Sequence, residues 1–349
     1  MFHKTVVPFL FNELVILIKQ KSFGSVSLNV LTLQCLSNFV LQFQFMKTIH
    51  LAELTPNQRY HYMLGTITPR PIALVSTISP EGQPNVAPYS FFNVFSGTPP
   101  VLIFSANTRS VSPVEKDSLA NIRSTGEAVI NLVNFSMSQQ MALTGLEYPK
   151  GVNEFEKSGL TPVASQIVKP FRVQESPVHF ECRLIEIKSM GNAPGSANLI
   201  IMEAVVMHVN EDAILPNEKI DPSALDIVGR LGGSQYTRVK GDSVFSIPLP
   251  ANGLPVGFEA IPGSIRKSKW LTGSDLAKLA GTTTLPDSKS LTTFKEEPYF
   301  RNFSKAMLQV SADDQDKKIH LELKRLIENK DIQTCWKLIM ALEYQSAHN

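Results

Sequence analysis

From Thr68 onward the chain alternates short apolar runs with clusters of turn residues. "PIALVSTI" (71–78) is rich in apolar and β-branched positions and gives way to "SPEGQPN", whose Pro, Gly and Asn predict a tight turn. "VAPYSFF" follows, and "VLIFSA" (101–106) predicts a second short buried strand. "EKDSLANIRSTGE" (115–127) predicts a helix with Leu119 and Ile122 on one face and Gly126 as its stop. "AVINLVN" (128–134) predicts another strand, and "SMSQQMALTG" (136–145) a short helix ending in glycine. "PVHFECRLIEIKSM" (177–190) and "ANLIIMEAVVMHVN" (197–210) are long β-type runs parted by a polar, glycine-containing turn, which predicts an antiparallel pair. Strands joined by turns, with few and short helices, predict a mainly β fold: a closed antiparallel barrel with helical insertions, not alternating βαβ units.

The two flanks break this pattern. Residues 1–45 hold the interrupted apolar runs "VVPFLFNELVILI" and 36–46, too short or too polar to span a bilayer. No small-residue cleavage site follows them. They read as an upstream extension, with a natural start at "MKTIHLAELTPNQRYHYM" near Met46. Beyond residue 250 the period becomes helical. In the last such segment apolar residues recur at Ile319, Leu323, Leu326 and Ile327, then at Ile332, Trp336, Ile339 and Met340. This predicts an amphipathic hairpin packed on the barrel or on a partner subunit. The expected organisation is therefore an extension at 1–45, a barrel domain at 46–250 and a helical C-terminal extension at 251–349.

Composition narrows the chemistry. An apolar share of 43% and a charged share of 18% are those of an ordinary globular protein, and a net charge of +2 gives nucleic acid nothing to grip. Three widely spaced cysteines, Cys35, Cys182 and Cys335, form no disulfide framework, redox pair or zinc spacing. A reducing, cytoplasmic setting without stable membrane insertion is expected. No Gly-x-Ser-x-Gly elbow, His-Glu-x-x-His pair, Walker motif or Gly-x-Gly-x-x-Gly turn occurs. His179 and His208 lie within the long β runs and read as barrel-wall residues, so no catalytic acid or base and no metal ligand is assigned.

Two stretches remain. "SANTRSVSPVEKDSLANI" brings Ser105, Asn107, Arg109, Lys116 and Ser118 to a helix start, where free N–H groups and the dipole favour an anion. Asp117 or Ser118 serves equally well as a plain N-cap. "APYSFFNVFSGTPPVLIFSAN" (87–107) packs Tyr89, Phe91, Phe92 and Phe95 around Ser90 and Asn93. Main-chain N–H groups at Ser90 and Phe91 would suit the carbonyls of a flat heterocycle between aromatic walls. The same aromatics would also build a barrel core, and composition does not choose.

Order and spacing add a further reading. "PRPIALVST…EGQPNVAPYSFFNVFSGTPPVLIFSA", "KDSLANI", "EAVINLV", "YPKGVNEFEKSGLTPV", "ESPVHFECRLIEI", "NLIIMEAVVMHV" and "DIVGRLGGSQY" follow one another as in the flavin reductase-like family, the FMN-binding split-barrel group that includes flavoredoxin-type proteins. The resemblance covers roughly residues 55–250. It implies a six-stranded, Greek-key-like split barrel, a homodimer and one FMN per subunit. Ser76, Thr77 and Asn85 would line the flavin side. Ser90, Phe91, Phe92 and Asn93 would meet the isoalloxazine edge. Ser105, Asn107 and Arg109 would approach the ribityl and phosphate end, and Lys116, Asp117 and Ser118 would hold the phosphate. Gly232, Gly233 and Tyr236 would come near the cofactor. Ser118 stands where the family often carries Thr, which keeps the hydroxyl. The connector "RSVSPVEKD" is shorter than in many relatives. The resemblance further implies NADH or NADPH as donor and a flavin-dependent monooxygenase or other electron acceptor as partner. A split barrel that only binds or stores FMN is the alternative.

Overall fold

A computed structural model describes residues 46–107, 115–193, 195–248 and 253–346. Two compact units divide the chain, one running to Gly241 and the other starting at Asp242.

The first unit opens with α1 (Pro56–Thr66), started by a capping box between Thr55 and Gln58. Next come β1 (Ala73–Ile78), β2 (Pro84–Tyr89), β3 (Phe92–Gly97), β4 (Pro100–Ser105), α2 (Asp117–Thr125) and β5 (Glu127–Leu132). Then follow α3 (Ser138–Thr144), α4 (Glu154–Ser158), β6 (Pro162–Val163), β7 (Arg172–Val173), β8 (Val178–Ser189) and β9 (Asn198–Val209). The unit ends with α5 (Pro222–Leu225), β10 (Val228–Arg230) and β11 (Tyr236–Arg238).

Seven strands form one sheet in the order β2-β1-β5-β8-β9-β4-β3. Its pairs are antiparallel throughout, so every neighbour is reached by a turn or a loop. The two edge strands, β2 and β3, are consecutive in the chain and meet at the bend Ser90–Phe91. The sheet curls round and stops short of closing there, which is where the barrel is split. The resemblance implies six strands. The sheet has seven, with the stretch 84–97 divided at this bend into β2 and β3 at opposite edges.

Strand β1 shows why the sequence reads as an unbroken apolar run. Ala73 and Val75 point into the barrel core with Phe104, Ile130, Ile200 and Met202. Ile72 and Leu74 point outward into a second cluster with Val86, Met137, Met141 and Phe155, under α3 and α4. Both faces are thus buried, and each large side chain so removed from water contributes about 1.5–3 kcal/mol. Helix α2 stops as expected at Gly126, which takes a left-handed φ of 70°. The result is a rigid wall, with β1, β2 and the start of α2 fixed against one another at its rim.

The second unit is helical: α6 (Gly263–Arg266), α7 (Gly273–Ala280), α8 (Ser288–Glu296), α9 (Pro298–Met307), α10 (Ala312–Glu328) and α11 (Ile332–Ser346). The hairpin α10–α11 places Leu323, Leu326, Ile327, Trp336 and Ile339 in a core completed by Leu276, Leu279, Phe294 and Phe300. Helices α7, α8 and α9 of the same unit therefore cover its apolar stripe. Trp336 fixes the packing by donating its indole N–H to Leu279 O and Thr282 Oγ1, each at 3.1 Å.

Candidate functional site

The register of β1 on β2 sets Thr77 opposite Asn85, with both side chains buried beneath α2. Thr77 Oγ1 accepts from Asn121 Nδ2 at 3.0 Å and from Asn85 Nδ2 at 3.3 Å. Asn85 Nδ2 also donates to Ser118 Oγ at 2.8 Å. Ser118 is an acceptor in that bond, so its own proton is left to point elsewhere, and among the described residues it meets no acceptor. Buried polar groups normally satisfy one another completely. A buried hydroxyl with a spare proton at the end of such a chain is an oriented donor.

Helix α2 begins at Lys116, its N-cap, which makes no side-chain capping bond. Asp117 and Ser118 both fall inside the helix, so neither is the plain cap that the sequence also allowed. Lysine is a poor choice beside the positive end of a helix dipole, where Ser, Thr, Asp or Asn is preferred. Its position gains sense if an anion is drawn there. Lys116 Nζ lies 5.2 Å from the centre of the Tyr89 ring, and Lys116, Ser118, Asn85 and Tyr89 share a cavity of about 110 Å³ with Thr144 and Glu154. That space suits a phosphate group and is too small for a three-ring flavin.

One carboxyl group complicates the cavity. Glu154 is buried, and its Oε2 accepts from Val86 N at 3.3 Å. Burial raises its pKa, N–H groups of its own backbone and of Val86 oppose the rise, and Asp117 adds to it. Glu154 is therefore held toward its neutral form, the form that tolerates an oxyanion beside it.

The second half of the site is the bend between β2 and β3. The N–H groups of Ser90 and Phe91 lie outside both ladders and find no acceptor among the described residues. Phe91 O instead accepts from Ser105 N at 2.9 Å, which pins the bend to the end of β4. The aromatics divide between the two roles left open by the sequence. Tyr89 is core, packed 5.1 Å from Phe104, and Phe92 packs partly against the same cluster. Phe91 is 38% exposed and Phe95 63% exposed, available as walls.

Residues 64–219 match the family described as Flavin reductase like domain. An uncharacterized protein of Aquifex aeolicus (strain VF5) is 39% identical over 183 residues, covering 52% of this chain and 91% of that protein. Another, from Deinococcus radiodurans, is 34% identical over 198 residues, or 54% of this chain and 85% of its own. The chain belongs to the flavin reductase-like family. Among solved structures, nitrilotriacetate monooxygenase component B from Bacillus cereus superposes with a TM-score of 0.55 at 28% identity, covering 59% of this chain and all of that one. The 2-nitrobenzoate 2-nitroreductase NbaA of Pseudomonas fluorescens gives 0.52 at 29% identity, with 59% and 100% covered. A flavin reductase-type protein with a split barrel domain from Shewanella frigidimarina NCIMB 400 gives 0.52 at 25% identity, with 60% and 100% covered.

In this flavin reductase-like chain the expected site residues fall into groups. Thr77, Asn85, Lys116, Asp117 and Ser118 gather at the small cavity and its supporting network. Ser90, Phe91, Phe92 and Asn93 lie along the bend and the start of β3, with Asn93 exposed and its Oδ1 accepting from Val94 N at 2.8 Å. Ser105 is buried and donates to Asn107 Oδ1 at 2.7 Å, so the pair is joined at the end of β4. Ser76 is turned away: it alternates with Thr77 and spends its hydroxyl on Phe171 O. Arg109 falls in 108–114, outside the described residues. Gly233 and Tyr236 line a different, larger cavity of about 520 Å³, and Gly232 lies in the same β10–β11 turn.

Two features of the first unit leave no mark in the sequence pattern. Glu154, an acidic residue in a glutamate-rich helix start, carries no sequence signal of burial. The barrel wall also holds an unforeseen polar cluster. Glu181 is fully buried and accepts from Gln166 N, Ile167 N and Val168 N and from His208 Nε2 at 2.8 Å. Burial alone would raise its pKa, but these donors outweigh it and hold the carboxylate at about 2. His179 is buried against Asn131 Oδ1 at 2.9 Å, and desolvation, then Arg172 and His208, lower its pKa to about 4. His179 and His208 lie in strands β8 and β9 of the barrel wall, the place expected for them. Among the described residues no group of three or more His, Cys, Asp or Glu could hold a metal, and no helix is long and apolar enough to cross a membrane.

Proposed function

We propose that this chain binds FMN and acts as a flavin reductase that draws on NADH or NADPH. The observation that carries this reading is the lysine N-cap of α2 beside a buried serine with a spare proton. Lys116, the Ser118 hydroxyl and the first N–H groups of α2 would hold the phosphate. The N–H groups of Ser90 and Phe91 would bond the carbonyl edge of the ring, and Phe91 would cover part of its apolar surface. Such donors stabilise negative charge on a ring that gains electrons.

When bound, the flavin supplies the redox chemistry, accepting a hydride from the nicotinamide and passing electrons to an acceptor. The residues of the chain bind, orient and screen, and none is asked to move a proton. A homodimer fits the exposed apolar residues of edge strand β3, where Val94 and Phe95 are each 63% exposed. Likeness to a monooxygenase component B supports a monooxygenase as the acceptor.

The test is an absorbance spectrum of the purified full chain, followed by anaerobic addition of NADH and then NADPH. A yellow protein bleached by one donor faster than free FMN supports a reductase. Colour without that acceleration points to FMN storage. A colourless protein that ignores added FMN overturns the reading.

A further inference from the structure

The register of β8 on β9 sets His179 directly opposite His208, so the two imidazoles share one face of the sheet. Their ring centres lie 6.1 Å apart, with the planes at 69°. No metal-ligand spacing in the sequence joins them; the strand pairing does.

Their hydrogen bonds fix which nitrogen of each ring carries the proton. His179 Nδ1 lies 2.9 Å from Asn131 Oδ1. That amide is itself held in one orientation, because Val173 N donates to its oxygen and its Nδ2 donates to Leu74 O, each at 2.9 Å. An amide oxygen only accepts, so Nδ1 of His179 is the protonated nitrogen and Nε2 keeps the lone pair. His208 Nε2 lies 2.8 Å from Glu181 Oε1, an ionised carboxylate, so the proton sits on Nε2 and the lone pair of the neutral ring on Nδ1. Among the described residues neither lone pair meets a donor. Neither nitrogen is sealed from solvent, and the His208 side chain is 17% exposed.

An imidazole whose N–H is anchored by a carboxylate or an amide oxygen, with its other nitrogen bare, is a metal ligand with its outer support in place. Two such rings on one ion stand on the order of 5–6 Å apart, since each metal–nitrogen bond is about 2.0–2.1 Å. Desolvation, then Arg172 and His208, lower the pKa of His179 to about 4, so its lone pair stays available at neutral pH. The charge of Arg172 opposes a cation here, and the buried Glu181 carboxylate attracts one. Neutral nitrogen donors select the ion: imidazole suits Zn²⁺, Ni²⁺ and Cu²⁺, whereas Mg²⁺ and Ca²⁺ want oxygen.

We infer that His179 and His208 form a two-histidine site for an exchangeable divalent transition-metal ion, with water completing its coordination. Asn131 and Glu181 are its positioning residues. The site uses no residue of the cavity at Lys116 and does not depend on where FMN binds.

Calorimetric titration of the full chain with Zn²⁺, and separately with Mg²⁺, tests it. Zn²⁺ should bind at one site per chain, and Mg²⁺ should not bind there. His208→Gln and His179→Gln should each weaken Zn²⁺ binding more than tenfold, since loss of an outer partner alone costs about 10- to 100-fold. His61→Gln, at an exposed position of α1, should leave it unchanged. In NMR spectra of the wild-type chain, substoichiometric Cu²⁺ should broaden the ring signals of His179 and His208 ahead of those of the other histidines. That readout needs no variant to fold. The inference is overturned if Zn²⁺ does not bind, if both Gln variants keep the wild-type affinity, or if Cu²⁺ broadens other histidines first. Failure of the FMN reading would show separately, as a chain that binds Zn²⁺ and ignores FMN.

Discussion

Asn85 Nδ2 stands 2.8 Å from Ser118 Oγ, joining β2 to the first turn of α2 across 33 residues of chain. The bond runs from amide to hydroxyl, and that direction turns the Ser118 proton outward. Replacing Ser118 by Ala removes one donor to the phosphate and leaves the Asn85 amide a bond short. FMN affinity should fall by about 10- to 100-fold, the worth of a hydrogen bond to a charged group. Fluorescence titration of FMN reads the loss directly. An unchanged dissociation constant would remove Ser118 from the site.

Glu154 predicts a pH dependence. Its pKa is raised by burial, so it charges only above the ordinary carboxyl value of 4.5. A phosphate beside it favours the protonated form further. FMN affinity should therefore weaken as pH rises through the raised pKa, because the ionised carboxylate repels the ligand. Glu154→Gln keeps an acceptor for Val86 N and should flatten that slope while tightening FMN binding at neutral pH. Titrations across a pH series check both effects. A Gln variant that retains the wild-type slope would contradict this role.

The barrel wall predicts acid sensitivity of the fold itself. His179 takes up a proton near 6.5 when unfolded and only near 4 when folded, so the unfolded chain binds the extra proton between those values. Stability is full above about 6.5 and declines as pH falls toward 4, by on the order of 3 kcal/mol. Glu181, held at about 2 against an ordinary 4.5, extends the same loss at lower pH. Urea unfolding at pH 7 and pH 5 should show the drop, and His179→Gln should lessen it. Equal stabilities at the two pH values in the parent chain would refute the assignment.

How far this was legible from the sequence depended on whether a residue's neighbours lay nearby in the chain. Gly126 was readable as a helix stop because a left-handed cap is a local event. The paired runs that became β8 and β9 were readable from the turn between them. Lys116, Asp117 and Ser118 could be placed at a helix start, but the cap itself could not be assigned, since Ser118 is held by Asn85 from a distant strand. The facing of Ser76 was lost because β1 is buried on both sides, which erases the alternation that tells one face from the other. Glu154 was invisible: its burial comes from packing against Val86, 68 residues away. The aromatic stretch divided between core and surface only once β2 and β3 were seen to lie at opposite edges of the sheet.

Lys116 offers the sharpest test, because stability and function pull in opposite directions there. As an N-cap it satisfies no helix N–H with its side chain, and its charge faces the positive end of the helix dipole. Serine at the same position would cap α2 and should stabilise the apo protein by about 0.5–2 kcal/mol. It would also remove the cation expected to meet the phosphate. Lys116→Ser should therefore raise the melting temperature of the flavin-free chain while lowering its FMN affinity about tenfold or more. Thermal denaturation and flavin titration on the same preparation measure the two effects together. A variant that loses stability, or that keeps its FMN affinity, would show that this lysine serves the fold and not the anion.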